Sequence, residues 1–186
     1  MKREQVYELL ERKYKEYNSS VFIDTDPISI PHRFSKLQDK EIIGFWVAML
    51  AWGNRKSIIT SGNKLVELMD GAPHDFIINH QEHDLKRFLN FKHRTFNATD
   101  ALYFIEFFKQ HYSKYNSLED AFIVGGNQEK RLEAFHNYFF SLDDAPQRTR
   151  KHIATPLRGS TCKRMNMFLR WMVRRDALDL GIWSRV

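Results

Sequence analysis

Ten consecutive residues, from Ile42 to Ala51, are apolar apart from a single glycine. A helix that is hydrophobic on every side has to be buried on most of them, so this stretch predicts a helix at the centre of the core. Trp52-Gly53 is expected to end this helix, since glycine is favoured just past a helix C-terminus. Asn54 and Arg55 are then expected to open a second helix. The apolar run is too short to cross a bilayer, and we expect no membrane partner.

Helical spacing of apolar residues recurs along most of the chain. This spacing predicts helices over 3–17, 54–69, 99–108, 118–124 and 128–142, with short helical pieces between 74 and 91. Two prolines within residues 21–33 predict a surface loop there, and Ser35 with Gln38 predicts a capping box for the following helix. Because no period-two alternation persists, we expect an all-α fold, a multi-helix bundle.

A single all-helical domain is expected over residues 1–186, because a chain of 186 residues with 42% hydrophobic side chains can bury one core. The chain stops on Gly181-Ile-Trp-Ser-Arg-Val186 without a polar tail, and we expect the C-terminal part of the domain to lie beyond this end. The first residues do not resemble a signal peptide, and the single cysteine, Cys162, excludes a disulfide framework. These features predict a cytoplasmic protein.

The cysteine and histidine residues of the chain do not predict a metal or cofactor site. One cysteine cannot supply a cysteine-ligated zinc or iron–sulfur site. His80, His83 and His93 do not share a helical face, so we expect them to be ordinary exposed histidines rather than metal ligands.

Positive charge is concentrated near the C-terminus. The chain carries 29 Lys+Arg against 23 Asp+Glu, and residues 145–175 contain nine of those cations and no acid. The rest of the chain is therefore net negative. Localised positive charge beside a turn and a helix is the electrostatic footprint of a nucleic-acid-binding surface, so we expect a polyanion, most simply DNA, as partner.

The stretch from Thr155 to Arg175 predicts a tight turn that leads into a helix. Pro156 is expected to end any preceding helix, and Gly159 allows a positive φ in the turn. Ser160 or Thr161 can then cap the next helix through a hydroxyl. The turn would offer free backbone N–H groups and positive charge in one place, which is a phosphate-binding arrangement.

This stretch and the elements before it resemble the helix-hairpin-helix DNA glycosylase superfamily, whose hairpin carries Leu-Pro-Gly-x-Gly-x-Lys. Leu157, Gly159 and Lys163 stand at the corresponding positions, and Phe91-Lys-His-Arg-Thr-Phe96 is similar to the segment that leads towards the hairpin. The likeness is nearest to the archaeal branch that acts on oxidised guanine and lacks an iron–sulfur cluster. Over nearly its whole length the chain resembles a bacterial family of unknown function.

The resemblance implies a helix-hairpin-helix over residues 148–175 and a glycosylase or abasic-site lyase activity on damaged bases. Lys163 would be the nucleophile, and its amine must be neutral to attack, a form that a helix N-terminus and neighbouring cations favour. Asp179 would be the catalytic carboxylate, with Asp176 or a residue beyond Val186 as alternatives. The family's hairpin proline and second glycine are replaced here by Arg158 and Thr161.

The DNA contacts implied by the same resemblance come from the turn, from the start of the helix and from the aromatic link; they are Arg158, Gly159, Ser160, Thr161, Arg164 and Arg94. An aromatic face can stack on a base taken out of the duplex, and the base pocket is expected at Trp52 and Asn54. Two other functions remain open: a nucleic-acid-binding module without catalysis, and a helical protein–protein interaction domain whose basic face meets an acidic partner.

Overall fold

A computed structural model describes residues 3–186, and it is helical over most of that length. Its α-helices are α1 (Arg3–Tyr17), α2 (Ser20–Thr25), α3 (Ser29–His32), α4 (Leu37–Leu50), α5 (Arg55–Leu68), α6 (Pro73–Asn79), α7 (Ala98–Tyr112), α8 (Gln128–Phe139) and α9 (Lys163–Val173). Short 3-10 helices cover Glu82–Phe88, Leu118–Ala121, Gln147–Lys151 and Pro156–Arg158. The predicted all-α class is confirmed. None of the helices within residues 3–186 is long and apolar enough to cross a bilayer.

A two-stranded antiparallel ribbon is the exception to the helical pattern. Strands β1 (Lys92–His93) and β2 (Phe96–Asn97) pair His93 with Phe96. Arg94 lies in the connection with a φ of 54°, a left-handed conformation that closes short hairpins. The ribbon is too short for its alternation to be visible in the sequence.

Helix α4 lies at the centre of the core, as its composition predicts. Residues 41–50 are all buried, and the helix packs against α3, α5, α6 and α9. Phe45 meets aromatic rings from three other helices, including Phe104 of α7, Phe135 of α8 and Phe168 of α9. The rest of the fold is thus arranged around this one element.

The last residues dock on this core. Trp183 is 1% exposed, and its indole N–H donates to Oε1 of Glu41 at 2.6 Å. Glu41 also accepts hydrogen bonds from Ser117 Oγ at 2.5 Å and from the Tyr112 hydroxyl at 3.0 Å. Burial raises the pKa of Glu41, and these donors meet the hydrogen-bonding needs of a carboxylate that lies out of water.

Three local predictions were wrong. Residues 21–33 form α2 and α3 rather than a loop, because Pro31 lies in the first turn of α3, where no N–H is needed. The capping box at Ser35 is not formed, since α4 starts at Leu37 without a side-chain cap. Asp39 instead accepts the N–H of His74, in the first turn of α6, at 2.7 Å. The third wrong prediction concerns His93, which is buried rather than exposed.

Candidate functional site: the turn before α9

The turn at residues 159–162, here called the α9 turn, joins the 3-10 helix Pro156–Arg158 to α9. Gly159 has a φ of 69°, so its predicted positive φ is confirmed. The cap of α9 is neither Ser160 nor Thr161 but Cys162, which has a φ of 49° and forms no side-chain cap. Ser160 Oγ accepts the N–H of Cys162 at 3.1 Å. The first N–H groups of α9 are therefore left without a capping side chain.

The structure gives no evidence for the helix-hairpin-helix predicted over residues 148–175. Residues before the α9 turn make two separate 3-10 helices, Gln147–Lys151 and Pro156–Arg158, while α9 follows the turn as expected. Pro156 and the bends around it explain this, because a proline disfavours the helical conformation of the residue before it. The described residues thus confirm a turn followed by a helix, and the motif itself stays a prediction.

Lys163, the first residue of α9, is exposed and lines a pocket of 300 Å³ together with His152, Ser160 and Thr161. Arg158 is also exposed, at the start of the α9 turn. Neither cation forms an ion pair with a carboxylate of residues 3–186 within 4 Å. Their charge is therefore available to an external anion.

Arg164 is directed into the protein. Its guanidinium donates to the backbone oxygen of Met49, near the end of α4, and to the oxygen of His152 at 3.2 Å. It also lies 4.7 Å from the ring centroid of Trp52. Burial lowers the pKa of Arg164, but an arginine keeps its charge in proteins. Arg164 thus fastens the start of α9 to the end of α4, and its predicted role in DNA binding would have to coexist with these bonds.

Trp52 joins the elements around the pocket. Its half-buried ring stacks on His152, with centroids 5.3 Å apart and planes at 4°, and also contacts His93 at 5.7 Å. With Arg164 against the same indole, part of the ring surface is already covered. Trp52 does not itself line the 300 Å³ pocket but contacts His152 and Arg164, which do, and its role as a base-stacking surface stays a prediction.

Asn54 and Arg94 lie beside this aromatic cluster. Asn54 is the N-cap of α5, where its side chain accepts the N–H of Lys56 at 2.8 Å. The exposed guanidinium of Arg94 lies against Gly53, where an added Cβ would come within 2.6 Å of Nη1. His152 and Arg164 therefore contact Trp52, Arg94 lies against the neighbouring Gly53, and Lys163 shares a pocket with His152 and Arg164.

A buried carboxylate that was not singled out in the sequence supports His152. Asp100 is 0% exposed; its Oδ2 lies 3.3 Å from Nε2 of His152, and its Oδ1 accepts from Thr149 Oγ1 at 2.8 Å. Burial alone would raise the pKa of Asp100, but the nearby His152 and the hydrogen bonds from the Asn97 N–H and Thr149 outweigh it, and the pKa is lowered. The capping box between Asn97 and Asp100 is the sequence signal that could have revealed this residue.

Asp179 is not brought to Lys163. Its side chain is 1% exposed, and its Oδ2 accepts from Nε of Arg170 at 3.0 Å. Arg170 lies seven residues after Lys163, which is about 10 Å along the helix axis. Asp176 lies in the same loop, where its Oδ2 is 2.8 Å from Nε of Arg174. Both candidate carboxylates therefore lie in the loop after α9 and pair with arginines at or just after its C-terminal half, here called the far half of α9.

Comparison with known proteins identifies the family of the chain but no function. A family model described as "Protein of unknown function (DUF2400)" matches residues 26–186. The chain belongs to this family. Neither the curated proteins nor the solved structures give a significant match.

Proposed function

We propose that this member of the family binds DNA through the α9 turn and acts on damaged nucleotides as a glycosylase or abasic-site lyase, with Lys163 as nucleophile. The observation that carries the proposal is the position of Lys163. It lies exposed at a helix N-terminus, without a carboxylate partner among residues 3–186, on the wall of a 300 Å³ pocket.

DNA binding would use the exposed groups around this pocket. Arg158, Lys163 and Arg94 are exposed cations, and such side chains position a duplex through its phosphates. The uncapped N–H groups at the start of α9 add donors and a partial positive charge. Arg164 contributes by fixing the turn, because its bonds to Met49 and His152 hold α9 in place.

The chemistry would take place at C1′ of the target nucleotide. The neutral amine of Lys163 forms a bond to C1′ while the glycosidic bond breaks, and the departing base keeps the bonding electron pair and takes up a proton. Loss of a proton from the nitrogen and opening of the sugar ring give a Schiff base. His152 lines the same pocket and is held by Asp100, so this pair is the acid–base group that we assign to the proton on the base. Asp179 stays a prediction as the catalytic carboxylate, because in the structure it is bound to Arg170 in the C-terminal half of α9.

Borohydride trapping tests this proposal, because it reduces a Schiff base to a stable covalent adduct. Duplexes with oxidised guanine, uracil or an abasic site are incubated with the wild-type chain, Lys163→Gln and the control Lys151→Gln, an exposed lysine in the preceding 3-10 helix. We expect an adduct in the wild type and in the control but not in Lys163→Gln. An adduct that persists in Lys163→Gln would refute the assigned nucleophile.

A second candidate function is a DNA-binding module without catalysis. It is favoured by one observation, the engagement of Asp179 with Arg170 away from Lys163. In that case no duplex gives an adduct, while DNA binding weakens steeply with salt. Absence of duplex binding even at low salt would point instead to the protein–protein interaction domain whose basic face meets an acidic partner.

A further inference from the structure

A second pocket, of 290 Å³, lies between α9 and the start of α8, and the proposed chemistry does not use it. Arg131 of α8 and Asn166, Arg170 and Arg174 of α9 line it, and Leu169 and Val173 give it an apolar surface. Lys163 belongs to the other pocket, about two helical turns away. The two pockets therefore lie at successive positions along α9.

Arg170 is held in this pocket by a buried carboxylate. Asp179 accepts only from its Nε, at 3.0 Å, and Asp179 is itself positioned by Asp176, whose Oδ1 accepts the N–H groups of Leu178 and Asp179 at 2.9 and 2.8 Å. Burying a carboxylate in this way carries a desolvation cost. The arrangement fixes the guanidinium while its two terminal nitrogens make no hydrogen bond within residues 3–186.

Arg131 contributes a second guanidinium to the same cavity. Its Nε donates to the oxygen of Gly125 at 3.4 Å, and it forms no ion pair within 4 Å in the described part of the chain. Two arginines with unshared N–H groups thus line one pocket. The planar guanidinium matches carboxylate and phosphate oxygens in a bidentate manner.

We propose that this pocket binds the phosphate group of a nucleotide, with Arg131 and Arg170 donating to its oxygens and with Leu169 and Val173 against the carbon atoms of the sugar. The apolar surface favours a phosphate ester over a bare ion. The phosphate can belong to a free nucleotide or to the strand that lies on the α9 turn. Only the second case rests on the proposed DNA binding.

Asn166 connects this pocket to the α9 turn. Its Nδ2 donates to the oxygen of Thr161 at 3.0 Å, and its Oδ1 accepts from Nε2 of Gln128, on the pocket wall, at 2.7 Å. A phosphate held between α8 and α9 therefore stabilises the two helices in the relative position that also supports the turn.

Isothermal titration calorimetry with deoxyadenosine monophosphate, inorganic phosphate and a short DNA duplex tests the proposal. Arg131→Gln is expected to weaken monophosphate binding about tenfold or more, since a charge-assisted hydrogen bond is lost. Arg170→Gln alone would leave Asp179 buried without a partner, so the double variant Arg170→Gln/Asp179→Asn is used and should show a similar loss. Arg12→Gln, an exposed arginine of α1, serves as the control and should bind as the wild type does.

The outcomes separate this inference from the proposed function. Loss of monophosphate binding in the two pocket variants supports the pocket even if no duplex binds, in which case the proposed DNA binding fails. Duplex binding that falls in these variants, with weak monophosphate binding, assigns the pocket to the strand. Binding of both probes that is unchanged in the pocket variants overturns the inference, whatever the effect of Lys163→Gln on the duplex.

Discussion

The two ends of α9 hold their cations in different ways. At the first turn, Arg164 is bound by backbone oxygens and an indole ring, and Lys163 has no counter-ion among residues 3–186. At the far half, Arg170 and Arg174 are paired with the carboxylates of the 176–179 loop. Positive charge is therefore retained at the first end and partly neutralised at the second. A polyanion is attracted where charge is retained, which is why we assign the proposed DNA contact to the α9 turn.

The largest loss of stability is expected from replacing Arg164, the inward-directed cation in the first turn of α9. Arg164→Met leaves the oxygens of Met49 and His152 without their donor, and it should lower the free energy of unfolding by about 3 kcal/mol. Arg174→Met, at the other end, removes a partly exposed ion pair and should cost about 1 kcal/mol or less. Urea denaturation measures both. Equal losses would contradict the distinction between an anchoring and a solvent-facing arginine.

Glycine substitutions test the backbone at the same two ends. Gly181→Ala places a Cβ 3.1 Å from the Arg174 oxygen at a φ of 58°, so strain and crowding combine. Gly159→Ala has the same conformational strain but meets nothing within 4 Å. We expect losses of about 2 kcal/mol for the first and about 1 kcal/mol for the second in thermal unfolding. A larger loss for Gly159→Ala than for Gly181→Ala would contradict the open space around Gly159.

Two buried aspartates should respond to pH with opposite signs. The pKa of Asp100 is lowered, so its stabilisation is present above the ordinary value of about 3.9 and is lost as the pH falls below it. Burial raises the pKa of Asp179, although the positive charges of Arg170 and Arg174 oppose this shift. The stability that Asp179 contributes is therefore lost as the pH rises from about 4 through the raised pKa.

The variants Asp100→Asn and Asp179→Asn isolate these contributions. The stability difference between wild type and Asp100→Asn should grow with pH, whereas that between wild type and Asp179→Asn should shrink. Urea denaturation between pH 3 and 7, the range that brackets these carboxyl groups, follows both. If both stability differences grow with pH, or if both shrink, the assigned environments of Asp100 and Asp179 are contradicted.

Features set by local chemistry were predictable from the sequence. The apolar run identified α4 as the central helix, Asn54 with Arg55 was expected to open the next helix, and Gly159 was recognised as a residue that allows a positive φ. Each depends on a period or on a single residue type that favours one backbone conformation. The helix predicted after the turn is confirmed as α9.

Features set by contacts between distant segments could not be predicted. A cation at the start of a helix can point to solvent, as Lys163 does, or inward, as Arg164 does, and only the placement of Met49 and His152 decides between them. The separation of Asp179 from Lys163 follows from its pairing with Arg170. Sequence spacing alone gives neither the direction of a side chain nor the path of a loop.

The most direct test of the account is the salt dependence of duplex binding for the wild type, Lys163→Gln and Arg174→Gln. If the α9 turn contacts the DNA backbone, Lys163→Gln weakens binding and lowers the slope of log affinity against log salt by about 1. Arg174→Gln should change that slope less, because its charge is already paired. A slope left unchanged by Lys163→Gln, or lowered equally by both variants, would contradict the assignment of the DNA contact to the α9 turn.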